Sequence, residues 1–242
     1  MTAEKENKQI RRITEKLDEL YESGKQNFFL RSKKPGILDT LIATKLSQNT
    51  TDKTSYKAYL NLKEKFTSWE DVAKAPVSSI KSAIRVCGLA DVKSKDIKKM
   101  LNELIAEHGS LNLNFLRKKS DDEVYDELLK YKGIGVKTIS CVLAFSMGRN
   151  VFPVDTHVHR ILNRMGILET KTPEQTFETA KSLIPDDVKV TFHINLIKFG
   201  RNICKAQNPL CGSCPVYNGC GFSEKSYFKE RRKDSKKLFA VL

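Results

Sequence analysis

Apolar residues recur every three to four positions over most of the chain, which is the spacing of one face of an α-helix. One such stretch precedes Gly24 and another precedes Gly109. Glycine is common just after a helix because it adopts left-handed backbone angles without steric cost. The pattern therefore predicts two amphipathic helices that end at these glycines, with apolar faces formed by Ile10, Ile13, Leu17, Leu20 and Tyr21 and by Ile97, Met100, Leu101, Leu104 and Ile105.

Sequence signals for the start of a helix occur at two further places. Ser120 stands three residues before Glu123, and Thr172 stands three residues before Gln175, as in a capping box, in which each side chain accepts the other residue's backbone N–H. No long segment alternates at period two, so the predicted fold class is all-α. Start signals and periodicity together predict helices near 36–48, 53–66, 79–87, 121–131, 137–147, 156–165, 173–184 and 188–203.

Length and composition limit the class of protein. A chain of 242 residues corresponds to one large domain or two small ones, and 40% hydrophobic content is typical of a folded chain. No apolar stretch approaches the roughly 20 residues of a membrane helix, and the lysine-rich N-terminus lacks the apolar core of a signal peptide. We therefore expect a soluble, cytoplasmic protein without membrane association.

The net charge points to the class of partner. The chain carries 43 Lys and Arg against 29 Asp and Glu, a formal charge of +14. Such an excess favours a polyanion, and nucleic acid comes first. A basic surface without a specific ligand is the alternative on charge alone. The basic run at 229–237 is most simply a solvated tail, with phosphate contact as its second interpretation.

Four of the six cysteines crowd into 17 residues, with proline and glycine between them. Four thiolates suit a tetrahedral zinc ion or a [4Fe–4S] cluster. One tight pair flanked by two wider gaps favours the bulkier cluster over zinc, and a basic chain without a secretion signal argues against disulfides. We expect a structural [4Fe–4S] cluster; redox sensing is the alternative role. The spacing is Cys204-x6-Cys211-x2-Cys214-x5-Cys220.

A glycine hairpin lies between two predicted helices. Gly133 and Gly135 permit positive φ and a bare backbone, so the amides that open the next helix can approach a phosphate without reading bases. Lys137 stands at the head of that helix. A lysine amine attacks carbon only when neutral, which a helix N-terminus and desolvation favour and nearby phosphates oppose. Lys137 is thus a candidate nucleophile, or alternatively a phosphate contact.

Asp155 follows Pro153 and precedes the helical pattern that begins at Val158. An N-cap alone would account for it, and a catalytic carboxylate is the other interpretation. His157 and His159 are two positions apart and diverge on a helix, so they are poor joint metal ligands.

Taken together, these motifs identify a resemblance. The chain resembles the endonuclease III family of the helix-hairpin-helix DNA glycosylase superfamily, from about residue 10 to 222. The resemblance is carried by the cysteine spacing and by the segments Leu46-Ser-Gln-Asn-Thr-Thr-Asp52, Gly88-Leu89, Gly133-Ile-Gly-Val-Lys-Thr138 and Val154-Asp-Thr-His157.

The resemblance implies two helical domains. A six-helix barrel with the hairpin would span 33–149, and a discontinuous domain would join 1–32 to 150–222, with its cluster loop at 204–220 and a basic tail at 223–242. Double-stranded DNA with damaged bases or abasic sites would lie in a cleft between the domains. The resemblance further implies a monomer, in the cytoplasm of a prokaryote and associated with its nucleoid.

The resemblance also implies residue roles. Lys137 would form a Schiff base with the deoxyribose C1′, and Asp155 would assist it and steady the developing positive charge. Leu89 would wedge into the opposite strand, the alternative being a core leucine. Either Gln48 or Asn49 would fill the space of the flipped nucleotide, because this sequence reads Ser-Gln-Asn where the commonest family form reads Ser-Ala-Gln. The hairpin contacts with DNA would come from Gly133, Gly135, Val136 and Thr138.

The resemblance implies a DNA glycosylase with apurinic/apyrimidinic lyase activity that removes damaged pyrimidines. It also implies that these pyrimidines are oxidised. The first alternative is a mismatch glycosylase for thymine, uracil or adenine, since such relatives use water and lack lysine at this position. The second is a non-catalytic DNA-binding or redox module, against which Lys137 and Asp155 together argue.

Overall fold

The structure is a computed structural model that describes residues 3–21 and 34–230. All regular elements in these ranges are helical, which confirms the predicted all-α class. The chain divides into two compact units. We call residues 34–149 the central unit, and residues 3–21 with 150–230 the discontinuous unit. No helix in the described ranges is long and apolar enough to cross a bilayer.

The central unit contains seven α-helices among the described residues. They are α2 (Ile37–Ser47), α3 (Asp52–Lys65), α4 (Trp69–Lys74), α5 (Val77–Ile84), α6 (Ala90–His108), α7 (Asp121–Leu128) and α8 (Val136–Cys141). A 3-10 turn at Leu113–Lys118 precedes α7, and a π-helical segment at Val142–Met147 follows α8 directly. Helix α2 packs on α3 and α8, and α6 packs on α4 and α5. Their common core includes Leu41, Ile42, Leu46, Leu62, Ile80, Ile84 and Ile97.

In the discontinuous unit, α1 (Ala3–Tyr21) and α9 (Thr156–Met165) both pack on α11 (Lys189–Asn202). Helix α10 (Pro173–Leu183) contacts α1 and α9. Short 3-10 turns lie at Asp186–Val188, Cys211–Ser213 and Tyr217–Gly219, and residues 225–230 are helical. The core of this unit includes Ile10, Leu17, Phe152, Phe192 and Phe199.

Helix ends follow their capping chemistry. The capping box at Ser120 and Glu123 is present in both directions, as predicted. The box at Thr172 is only half formed: Thr172 accepts the Gln175 N–H, but the Gln175 side chain accepts from Lys171 instead. Gly109 ends α6 at φ 70°, as predicted, whereas Gly24 lies outside the described residues.

Several predicted bounds were wrong. Helix α7 ends at Leu128 rather than near residue 131, because the chain turns there into the hairpin. Helix α5 runs from Val77 to Ile84 rather than over 79–87, and α6 begins at Ala90, well before its apolar stretch. The predicted helix over 137–147 is an α-helix only to Cys141. Helix α4 was not predicted, although Ser68 and Asp71 form a complete capping box at its start.

One polar cluster joins three helices of the central unit. Asp39 Oδ1 on α2 accepts bonds from the Tyr59 hydroxyl (2.6 Å) and from Trp69 Nε1 (3.2 Å). Lys63 Nζ lies 3.7 Å from the same oxygen and 4.8 Å from the centre of the Trp69 ring. Burial and the neighbouring carboxylate raise the pKa of Tyr59, so its hydroxyl stays a donor. The cluster thereby fixes the buried Trp69 ring.

Candidate functional site

The hairpin is a tight turn between α7 and α8. Tyr131 N–H donates to Leu128 O (3.3 Å), and Ile134 N–H donates to Tyr131 O (3.1 Å). Gly133 has φ 80°, a conformation that favours glycine, as predicted. Gly135 has φ −119° and is the N-cap residue of α8, so it does not use the positive φ that glycine permits. A Cβ at Gly135 would meet no atom within 4 Å.

A buried ion pair supports the hairpin from inside the central unit. Lys45 Nζ lies 2.8 Å from Asp96 Oδ2 and donates to Gly133 O at 3.4 Å. A Cβ added to Gly133 would overlap the Lys45 ammonium. Gly133 is therefore required twice, for its backbone angles and for the space that Lys45 occupies. No pattern in the sequence distinguishes Lys45 from the other basic residues, and sequence analysis missed it.

Lys137 is the second residue of α8 and is half-buried. No hydrogen bond or ion pair joins its amine to another residue in the described ranges. Val136 is likewise half-buried. Thr138 is only 3% exposed, and its N–H donates to Gly135 O (2.9 Å). Thr138 is thus packed inside the central unit, away from the surface that its predicted DNA contact requires.

Asp155 is the N-cap residue of α9, as its sequence position predicts. Its Oδ1 accepts the N–H groups of His157 and Val158, both at 2.9 Å. The preceding segment is fixed by His193, whose Nδ1–H donates to Pro153 O (2.7 Å). Sequence analysis did not single out His193, a buried histidine on α11. The carboxylate of Asp155 is therefore held in one orientation.

The two histidines after Asp155 have separate partners, as their spacing predicts. His157 Nδ1 lies 3.1 Å from a guanidinium nitrogen of Arg160, and burial lowers the pKa of His157. His159 Nδ1 lies 2.6 Å from the Thr176 hydroxyl.

The residues predicted to wedge into the duplex and to fill the space of the flipped nucleotide lie on two adjacent loops of the central unit. Leu89 is 55% exposed with φ 60°, so the alternative of a core leucine was wrong. Asn49 is exposed with φ 52°, while Gln48 is half-buried and ends α2. A Cβ at Gly88 would lie 3.4 Å from Asn49 O, which shows how closely the loops approach.

The four cysteines of the C-terminal loop are half-buried thiols. Burial, with added repulsion from the other three, raises the pKa of Cys214 to about 12. A bound metal centre would relieve this cost because its positive charge stabilises thiolates. Four such thiolates fit a metal centre bound through sulfur, either a zinc ion or an iron–sulfur cluster.

Arg164 joins the two ends of the cysteine loop, and sequence analysis missed it. One guanidinium nitrogen lies 3.8 Å from Cys204 Sγ and donates to Lys205 O (2.6 Å). Its backbone O accepts from Cys220 Sγ (3.5 Å), and its guanidinium lies 4.5 Å from the centre of the Phe222 ring. Because Arg164 precedes Cys204 by 40 residues and Cys220 by 56, no local spacing points to it.

Two family models match the chain. The model of HhH-GPD superfamily base excision DNA repair proteins matches residues 42–186. The model of the iron–sulfur binding domain of endonuclease III matches residues 204–220, so the cofactor is an iron–sulfur cluster, consistent with [4Fe–4S].

Individual relatives agree with the family models. An Arabidopsis thaliana protein whose name contains "DNA glycosylase" is 41% identical over 179 residues, which are 74% of this chain but only 58% of that protein. Endonuclease III of Thermotoga maritima is 37% identical over 182 residues, 75% of this chain and 81% of the relative. Because these relatives come from a plant and a bacterium, the prokaryotic source stays a prediction.

A solved structure gives the same result. The trapped covalent intermediate of endonuclease III with DNA matches with a TM-score of 0.74 at 28% identity, over 94% of this chain and 98% of that chain. The chain therefore belongs to the endonuclease III family of DNA glycosylases, within the HhH-GPD superfamily of base excision DNA repair proteins.

Proposed function

We propose that this protein is a bifunctional DNA glycosylase and apurinic/apyrimidinic lyase that removes damaged, chiefly oxidised, pyrimidines from double-stranded DNA. The observation that carries the proposal is Lys137, which is half-buried at the start of α8, directly after the glycine hairpin. Its amine has no hydrogen-bond or ion-pair partner in the described residues, so no side chain there competes for its lone pair when the amine is neutral. The similarity to a covalent endonuclease III intermediate with DNA supports the same role.

The chemistry is a displacement followed by an elimination. The neutral amine of Lys137 forms a bond to C1′ while the bond from C1′ to the base breaks, and the base leaves with that electron pair and is protonated. Opening of the sugar and loss of an amine proton give a Schiff base. Removal of a C2′ proton then expels the phosphate oxygen from C3′, so the strand is cut 3′ to the lesion. Hydrolysis of the imine restores Lys137.

Other residues hold the DNA and stabilise charge in this proposal. Asp155 stabilises the positive charge that develops on the sugar, and its two backbone hydrogen bonds fix its orientation in advance. The hairpin contacts the DNA backbone through Gly133, Gly135 and Val136, while Thr138 packs behind it. Leu89 wedges into the duplex, and Gln48 or Asn49 fills the vacated space.

The cluster has a structural role in this scheme. Cys204, Cys211, Cys214 and Cys220 would hold it, which leaves no iron open to substrate. When bound, it supplies a rigid centre around which the loop 204–220 folds, and no step above passes through it.

Borohydride trapping on a duplex with one abasic site tests the nucleophile. We expect a covalent adduct with the wild type and none with Lys137→Ala. Lys132→Ala is the matched control, because it removes an exposed lysine of the same hairpin and should still be trapped. Normal strand cleavage by Lys137→Ala would mean that another amine is the nucleophile.

Asp155→Asn separates charge from capping. The amide oxygen can still accept the two backbone N–H groups, so folding should survive, while turnover should fall about 10²-fold or more through loss of transition-state stabilisation.

A panel of duplexes with oxidised pyrimidines and with mismatches assigns the substrate. Base release that leaves the abasic site uncut would identify a monofunctional mismatch glycosylase, and DNA binding without base release would identify a non-catalytic module.

A further inference from the structure

Lys93 is a buried lysine on α6. It is only 2% exposed, although lysine is almost never fully buried in proteins without a partner for its charge. Burial lowers the pKa of Lys93, which reflects the cost of removing an ammonium from water. A buried lysine in this place therefore calls for an explanation.

The contacts of Lys93 join the two loops described above. Its Nζ donates to Leu46 O at 2.8 Å, and Leu46 belongs to the last turn of α2, where carbonyls have no partner inside the helix. The same nitrogen lies 3.9 Å from Cys87 Sγ, two residues before Leu89. One residue thus holds the chain just before Gln48 and just around Leu89.

Both loops contain strained backbone. Asn49 and Leu89 are two of the three non-glycine residues with positive φ in the described part of the chain. Left-handed angles are costly for leucine and less so for asparagine, and a costly conformation persists only where the surroundings fix it. The Lys93 side chain bonds the chain three residues before Asn49 and contacts Cys87, two residues before Leu89, so it is placed to fix both conformations.

Stability alone is a weak reason for an ammonium here. The nearby carboxylate of Asp96 is already paired with Lys45 at 2.8 Å, and no carboxylate in the described residues forms an ion pair with Lys93. A neutral side chain of similar length would fill the same space without the desolvation cost, and such replacements of buried charges are often neutral or stabilising. The specific bond to Leu46 O is what such a side chain would lose.

We propose that Lys93 is a positioning residue that holds the Leu89 loop and the Gln48–Asn49 loop in the conformation that opens the duplex around a flipped nucleotide. This inference rests on the proposed function, because it assumes that these loops enter the DNA. Lys93 does not touch the substrate and acts through the two loops.

The test compares two affinities for each variant. One is the affinity for a duplex with an uncleavable tetrahydrofuran abasic analogue, and the other is the affinity for the same duplex without damage. Lys93→Met should lower the ratio of the two by about tenfold or more, the scale of one charged hydrogen bond. Lys95→Met is the matched control, since it removes an exposed charge from the same helix and should keep the ratio. A purely structural role would lower stability without changing the ratio.

A double-mutant cycle with Leu89→Ala tests the route of the effect. Because Leu89→Ala removes the wedge but leaves the Gln48–Asn49 loop, Lys93→Met should change the ratio less in the Leu89→Ala background than in the wild type. Full additivity would contradict this route. If Lys93→Met does not fold, Lys93→Gln, which is one atom too short to reach Leu46 O in the same way, takes its place, and failure of both to fold would overturn the proposal.

The outcomes separate the two proposals. If the wild type does not prefer the abasic analogue, the proposed function fails. If the wild type prefers it and Lys93→Met shows the same preference, the proposed function stands and the role of Lys93 is wrong.

Discussion

Gly133 and Gly135 lie two residues apart in the hairpin but meet different requirements. Gly133 needs left-handed angles and leaves room for the Lys45 ammonium, whereas Gly135 has ordinary angles and open space where a Cβ would be. Gly133 therefore serves the fold in addition to the proposed DNA contact, whereas Gly135 only leaves the outer face of the hairpin bare. Alanine substitutions should therefore separate folding from binding.

Gly133→Ala should destabilise the protein by about 1–3 kcal/mol, because the new methyl group is strained and displaces Lys45 from Gly133 O. Gly135→Ala should cost no more than about 1 kcal/mol, for a poorer N-cap, and should weaken binding to undamaged duplex, because its methyl group would hold a phosphate away. Thermal unfolding and binding titrations measure both effects. Unchanged DNA affinity in Gly135→Ala would remove this glycine from the binding face.

The residues with local signals could be predicted from the sequence, and those that act at long range could not. Asp155 was expected to cap a helix because its neighbours define that helix, and it does. Lys45 and Lys93 carry no such signal, because nothing in the sequence around a buried lysine distinguishes it from the many basic residues on the surface. Their importance arises from contacts with Gly133 and Leu46, 88 and 47 residues away.

At the scale of elements, long periodic helices were predicted well and short ones were not. Helix α4 has six residues, too few for periodicity to show. The start of α6 was not predicted, because Leu89 adopts left-handed angles there and gives no side-chain cap. The run from Val142 to Met147 reads as a continuation of α8, yet it forms a π-helical segment, which no spacing of apolar residues distinguishes in an almost wholly buried stretch.

The cysteine loop should depend on its cofactor. Cys211→Ala should lower iron content, thermal stability and soluble yield more than it changes the chemistry, because cluster binding is coupled to folding of the loop. Iron and sulfide analysis, together with thermal unfolding, measures this. Cys141→Ala is the control, since this buried cysteine lies in the central unit and should keep the iron. Stoichiometric zinc without iron in wild-type protein prepared without oxygen would contradict the assignment.

At the scale of the whole molecule, the charge of +14 should govern non-specific binding. Binding releases counterions from DNA, so affinity for undamaged duplex should fall steeply as salt rises, by about 10³–10⁵ between roughly 50 and 200 mM for six to ten phosphate contacts. Lys137→Ala should reduce the slope of log affinity against log salt by no more than about one. A nearly flat dependence would show that the basic surface is not the binding face.

The single tryptophan of the sequence has an experimental consequence. Trp69 is buried in the central unit, between Asp39 and Lys63, whereas the cysteine loop belongs to the discontinuous unit. Tryptophan fluorescence therefore reports on one unit, and the visible absorbance of the iron–sulfur cluster reports on the other. A denaturant titration followed by both signals gives each unit its own optical probe without any added label, and coincident midpoints would identify cooperative unfolding.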